Sequence, residues 1–114
     1  MSQRDRAIVS TFASDALLVG SEAGEVARGT QQLTTFFERI FSRSVRFSWQ
    51  WRRLEVASAG DMAWFFAEGE VIMSAEASTS RAPYRLSGVL QRQGGRWLWQ
   101  QFHGAEPTLA QHAA

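Results

Sequence analysis

The stretch YRLSGVLQRQGGRWLWQQFHGAEP, residues 84–107, reads as two apolar strands joined by the turn Gly94-Gly95. Paired glycines between alternating runs signal a tight hairpin, because its central residues need positive φ, which glycine adopts without steric cost. Successive side chains on a strand point to opposite faces. In 82–92, Arg85, Ser87 and Val89 therefore oppose Tyr84, Leu86 and Leu90. In 96–104, Trp97, Trp99, Gln101 and His103 oppose Leu98, Gln100 and Phe102. A sheet with one wet face would alternate more cleanly. The second face is expected to meet something apolar, and in so short a chain a second copy is the economical partner.

Working outward, 46–58 and 62–74 also read as strands, divided by Ala59-Gly60-Asp61, and the polar stretch Glu76–Arg81 separates them from the hairpin. The connections are too short for helical crossovers, so these four strands form an antiparallel sheet. Upstream, Thr30 reads as an N-cap for a helix over about 31–43. Leu33, Phe36, Phe37, Ile40 and Phe41 make one amphipathic stripe that must bury against a sheet face. Before it, LLVGSEAGEVARG forms two short strands around Glu22-Ala23-Gly24-Glu25, and residues 7–14 read as a short helix with Ile8, Val9 and Phe12 on one side. Residues 1–107 make one domain, and 108–114 has little to bury and is expected to be a flexible tail.

Composition narrows the function classes. With 114 residues there is room for one core. Five Trp and eight Phe are enough for that core with aromatics left for a pocket wall or an interface. No cysteine is present, which removes disulfides, thiol catalysis and thiolate metal sites. His103 and His112 are the two imidazoles, and with the second in the tail no metal centre or other cofactor is expected. A net charge of +1 gives no electrostatic case for nucleic acid. No apolar run is long enough for a membrane span and no signal peptide is read, so a cytoplasmic protein is expected.

The order of short helix, hairpin, helix and long antiparallel strands resembles the nuclear transport factor 2-like superfamily and its SnoaL-like domains. The residues that carry the likeness are DALLVGSEAGEVARG at 15–29, GDMAW at 60–64 and the stretch 84–107. The closing hairpin is also similar to that of the association domain of calcium/calmodulin-dependent protein kinase. The resemblance implies an α+β fold of the cystatin-like type, a cone-shaped curled antiparallel sheet wrapped around helices to form a pocket. Family members begin with a longer helical segment across the mouth of the cone. Here about a dozen residues precede the first strand, which implies a more open pocket or one closed by a partner chain.

Arg85 and His103 are the leading site candidates. Counted from the Gly94-Gly95 turn they fall near one another across the ladder, and both are expected on the concave side. In the kinase association domain the matching Arg position lines the pocket, which is what the resemblance implies for Arg85. Such an Arg favours a carboxylate or another anionic oxygen, and would hold a neighbouring His neutral as a base or acceptor. A salt bridge from Arg85 to Glu68 or Glu106 is the alternative. Glu68 shares a strand face with Glu70, Trp64 and Phe66, where a carboxylate could serve as a general acid or base or as an ion-pair partner. The indoles at 49/51 and 97/99 pack as core or line a pocket for a flat apolar ligand. Tyr84, the one tyrosine, falls opposite Arg85, so an isomerase-type constellation is not visible.

The expected function is a small-molecule-binding domain for a hydrophobic ligand bearing a carboxylate or carbonyl. Its candidate residues are Arg85 as anchor, Trp64, Glu68, Trp99 and Gln101 as contacts, and His103 as a catalytic base. A lyase, isomerase or hydrolase could be built on it. The alternative is a non-catalytic homodimerisation or assembly module, pairing through the outer sheet face, with a vestigial pocket.

Overall fold

The computed structural model describes residues 7–107. Six strands and one principal helix follow in the order β1 (Phe12–Val19), β2 (Val26–Arg28), α1 (Gly29–Phe41), β3 (Arg46–Ala59), β4 (Met62–Ala75), β5 (Ser78–Gln93) and β6 (Arg96–Ala105). The strands form one sheet in the order β2-β1-β6-β5-β4-β3. All neighbours are antiparallel except β1 and β6, which run parallel. Three of the four long strands lie where the alternation places them, while β5 begins at Ser78, inside the stretch Glu76–Arg81 expected as a connection, because those residues pair with the end of β4. The parallel seam makes the sheet mixed.

The N-terminal segment departs from the expected helix over 7–14. Helical structure covers 7–9 and β1 begins at Phe12. The Ser10 and Thr11 hydroxyls donate back to the carbonyls of Ala7 and Ile8, at 2.8 and 2.7 Å, and end the helix there. Pairing with β6 then claims Phe12, whose neighbour in register is Trp99. The start of α1 also differs. Gly29 turns the chain out of β2 at φ 83°, and the N-cap is Arg28, with Thr30 already inside the helix. The Arg28 N–H is satisfied by Gln32 Oε1, reaching back at 2.8 Å. The predicted tail at 108–114 lies outside the described residues.

The core sits between α1 and the β1 side of the sheet. Leu33 and Phe37 are buried against Ala13, Ala16, Leu18 and Ala27. The small residues let the helix approach closely. Phe12 joins the two layers, with ring centroids 5.8 Å from Phe37, 6.0 Å from Phe102 and 6.3 Å from Trp99. Each fully buried Leu or Phe stabilises by about 1.5–3 kcal/mol. The helix packs chiefly on β1 and β2. The β3 edge, by contrast, is exposed along nearly its whole length, including Trp49, Trp51, Leu54 and Val56.

Candidate functional site

Strand register decides which side chains share a face. Residues opposite one another across a ladder point the same way, so rows can be followed across the sheet. Leu18, Phe102, Gly88, Phe65 and Val56 form one row, and its first two members pack against α1 or the core around it. That face is the inner one. Leu86, Gly104, Ala67 and Leu54 form the next inner row, and Tyr84, Gly69 and Trp51 the one after it. The rows that alternate with these are outer. They are His103, Ser87, Phe66 and Glu55, then Ala105, Arg85, Glu68 and Arg53, and on the other side Gln101, Val89, Trp64 and Ala57.

The expected site residues are thus divided. Arg85 and His103 are near neighbours, offset by one pair of residues along the ladder, with His103 opposite Ser87. They lie on the outer face, not on the concave side facing α1. Glu68, Trp64 and Gln101 accompany them. Trp99 does not. A bulge in the β5–β6 ladder pairs Val89 with Gln101 and Leu90 with Trp99, leaving Gln100 as the extra residue. This slip turns Trp99 inward, where its ring lies 5.1 Å from Phe65 and 5.1 Å from Phe102. Strict alternation from His103 had put it on the other side.

Arg85 is held by Glu68 through Nε at 3.2 Å. On the same face Arg81 Nη1 donates to both Glu70 and Gln50 at 3.1 Å, and Arg53 pairs with Glu55 while lying over the Phe66 ring. Trp64 stands among these ion pairs, 47 % exposed.

The inner face of the β3–β5 arm holds a different cluster. The Tyr84 ring is half-buried, with centroids 6.1 Å from Trp49 and 6.4 Å from Trp51. Gly104 makes room for its hydroxyl, since a Cβ there would overlap the phenol oxygen and lie 2.8 Å from Cζ. The phenol is pushed up to about 12, first by burial and then by the negative charges of Glu106 and Glu25. It stays protonated through the neutral range. Among the described residues nothing hydrogen-bonds its oxygen. Trp49 and Trp51 remain 43 % and 39 % exposed, so the aromatic cluster is accessible from the β3 edge.

A separate hollow of ≈ 400 Å³ lies between β2 and α1, walled by Val26, Ala27, Gln31, Thr35, Phe36 and Arg39 among others. Neither Tyr84 nor Arg85 lines it. Among the described residues no three His, Asp or Glu side chains gather as metal ligands, and no helix is long and apolar enough to cross a membrane.

Sequence reading missed Tyr84 as a site residue because it assigned the concave side to Arg85. The strand MAWFFAEGEVIMSA held the corrective signal. Glu68 and Glu70 fall with Trp64 and Phe66, while Ala63, Ala67 and Val71 fall on the alternate face and are buried. Charge marks the wet face, small residues the covered one.

Solved structures with this architecture are numerous. A nuclear transport factor 2-like protein of unknown function from Pseudomonas putida matches with a TM-score of 0.76 at 19% identity, over 94% of this chain and 75% of that one. A ketosteroid isomerase-like protein from Erwinia carotovora gives 0.72 at 18%, over 91% and 82%. A nuclear transport factor 2-like protein with a cystatin-like fold from Novosphingobium aromaticivorans gives 0.76 at 12%, over 95% and 72%. At such identities the likeness establishes the fold and leaves the chemistry open. No curated protein matches the chain. The SnoaL-like domain model matches residues 1–108, nearly the whole sequence, and the chain belongs to that family of nuclear transport factor 2-like folds.

Proposed function

We propose that the domain binds a small, flat, largely apolar molecule on the inner face of the β3–β5 arm, where the Tyr84 hydroxyl donates to a carbonyl oxygen or similar acceptor. The observation that carries this reading is the phenol itself, half-buried between two indoles, protonated, and without a hydrogen-bond partner among the described residues. A ligand that covers this hydroxyl must offer it an acceptor, because a donor sealed from water without one costs about 1–3 kcal/mol. The indoles supply flat apolar area on which such a ligand can lie. Arg85, turned to the opposite face and engaged by Glu68, supplies no carboxylate anchor in this reading.

The test is Tyr84→Phe, which removes one oxygen and keeps the ring. Binding of 2-acetylnaphthalene, a flat aromatic ketone, should weaken about tenfold by calorimetry, as expected for one lost hydrogen bond. Equal affinity in the variant would remove the reading's main support. A protonated phenol that polarises a carbonyl is also how lyase- and isomerase-type chemistry begins. Turnover of such a ketone is the readout that would extend binding to catalysis.

A second reading concerns the outer face and is compatible with the first. Trp64 and Phe66 form an apolar centre bordered by charge-balanced pairs, Arg53 with Glu55 and Arg85 with Glu68. An apolar centre inside a polar rim is the anatomy of a protein interface, and it favours a homodimer through this face, with His103 and Gln101 in the rim. Sedimentation at micromolar concentration should give a dimer, and Trp64→Glu a monomer. A wild-type chain that sediments as a monomer would sink this reading.

A further inference from the structure

Resting on the Tyr84 binding reading, we infer that the ligand of this inner-face trough carries, besides the acceptor that meets the Tyr84 hydroxyl, a cationic amine or quaternary ammonium group on its flat apolar body. Carboxylates held beside Tyr84 and the π faces of the two indoles select this class.

The carboxylates are placed by the strand ends. β1 and β6 run parallel with Val19 beside His103, so Gly20 and Gly104 follow as neighbours. Neither has a side chain, and each vacancy is filled. The Tyr84 hydroxyl lies against Gly104. The Glu25 side chain folds over Gly20, where a Cβ would lie 2.7 Å from Glu25 Cβ and overlap its carboxylate. Glu25 Oε1 is fixed there by the Glu22 N–H at 3.1 Å, and the turn is closed by Gly20 N–H to the Glu25 carbonyl at 2.7 Å. Glu106 follows directly on β6, and its Oε2 accepts from Ser21 Oγ at 3.2 Å. Two carboxylates thus converge on the β1–β2 turn beside the phenol. Burial first, and then their negative charge, raises the pKa of the phenol.

Among the described residues no arginine neutralises them. Arg53, Arg81, Arg85 and Arg92 pair with Glu55, Glu70, Glu68 and Asp61 respectively. The negative potential at this end of the trough is therefore available to a ligand. Indole is the best ring for cation–π attraction, and Trp49 and Trp51 present partly exposed faces next to Tyr84. An anionic ligand would meet like charge here and a neutral one would leave the carboxylates unanswered. The carboxylate-bearing ligand expected from Arg85 is the class that this end of the trough disfavours.

The experiment compares three naphthalene probes on the full chain by calorimetry at fixed salt. They are (2-naphthylmethyl)trimethylammonium, its uncharged isostere 2-neopentylnaphthalene, and 2-naphthylacetate. The ammonium should bind about tenfold tighter than the isostere, with the acetate weakest. In Glu25→Gln/Glu106→Gln the preference of ammonium over isostere should collapse to within about twofold, since the charge that favours the ammonium is removed. Equal binding of ammonium and isostere by the wild type overturns the cation inference and leaves the Tyr84 trough as a site for neutral ligands. A preference that persists in the double variant also overturns it. If none of these probes nor the aromatic ketone binds, the trough reading falls with it.

Discussion

Two glycines on the inner face make unequal predictions when replaced by alanine. Gly104 and Gly69 both sit in strands, and neither is among the positive-φ glycines, so the added methyl is the perturbation and not the backbone angle. At Gly104 the new Cβ meets the far end of one side chain, the Tyr84 hydroxyl and Cζ. Two torsions let the ring swing away. The cost is then the apolar contact of a half-buried aromatic, about 1 kcal/mol, partly offset by about 0.5 kcal/mol because alanine narrows the unfolded ensemble. Gly104→Ala should therefore lose well under about 1 kcal/mol. At Gly69 the Cβ meets backbone. It overlaps the Gln50 carbonyl oxygen and lies 2.8 Å from Trp51 Cα, at the bulge between Trp51 and Arg53. No torsion relieves that, so β3 must shift away from β4, and overpacking of this kind costs about 1–3 kcal/mol or more.

Urea unfolding followed by far-ultraviolet circular dichroism measures both, provided the slope with denaturant stays the same. Gly104→Ala should be folded and nearly wild-type in stability, yet lose affinity for the flat ketone, because the phenol has been expelled from its seat. Gly69→Ala should be clearly the less stable of the two. The reasoning is refuted if the two variants are equally destabilised, or if Gly104→Ala binds the probe as the wild type does.

The phenol can be titrated directly, since the chain contains one tyrosine. Its ultraviolet absorbance should change with a midpoint of about 12 in the folded protein, and Glu25→Gln or Glu106→Gln should each lower it. Between about pH 10 and 12 the unfolded chain has lost this proton while the folded chain retains it, so stability falls as pH rises through that window. A midpoint near 10 in protein still folded by circular dichroism would contradict the seat described for Tyr84. Arg85→Gln removes an exposed ion pair, with side chains 53% and 35% accessible, and should change stability by less than about 1 kcal/mol. Ketone affinity should be unaffected by it, and a tenfold loss would return the ligand to the outer face.

Much of the fold was legible because its signals are local. The stripe Leu33, Phe36, Phe37, Ile40 and Phe41 marks a helix by its own period, and the turns at Gly60 and Gly94-Gly95 each bound two of the four long strands. What escaped depends on distant partners. Phe12 became strand because β6 lies beside it in parallel, a pairing between residues 87 positions apart that no local period encodes. Gly29 was read as the end of a hairpin, yet its positive φ is what starts the helix and displaces Thr30 from the cap.

The site was harder, for a reason specific to sheets. Period-two reading is correct until a bulge intervenes, and then every residue beyond it is assigned to the wrong face. One extra residue at Gln100 separates Trp99 from His103 and breaks the wall that alternation had joined. Alternation alone also cannot say which face is inner. Polarity can, and it needs β4 to do so. Once Glu68 and Glu70 mark the outer face, the register carries Arg85 and His103 there and brings Tyr84 to the inside with Trp51. The inner-face positions Gly88 and Gly104 then acquire a meaning that their own identity does not announce. Each is a vacancy occupied from a neighbouring strand, by the Trp99 ring and the Tyr84 phenol respectively. A trough in a curled sheet is shaped as much by where side chains are missing as by those that line it, which is why a list of reactive residue types pointed first to the opposite surface.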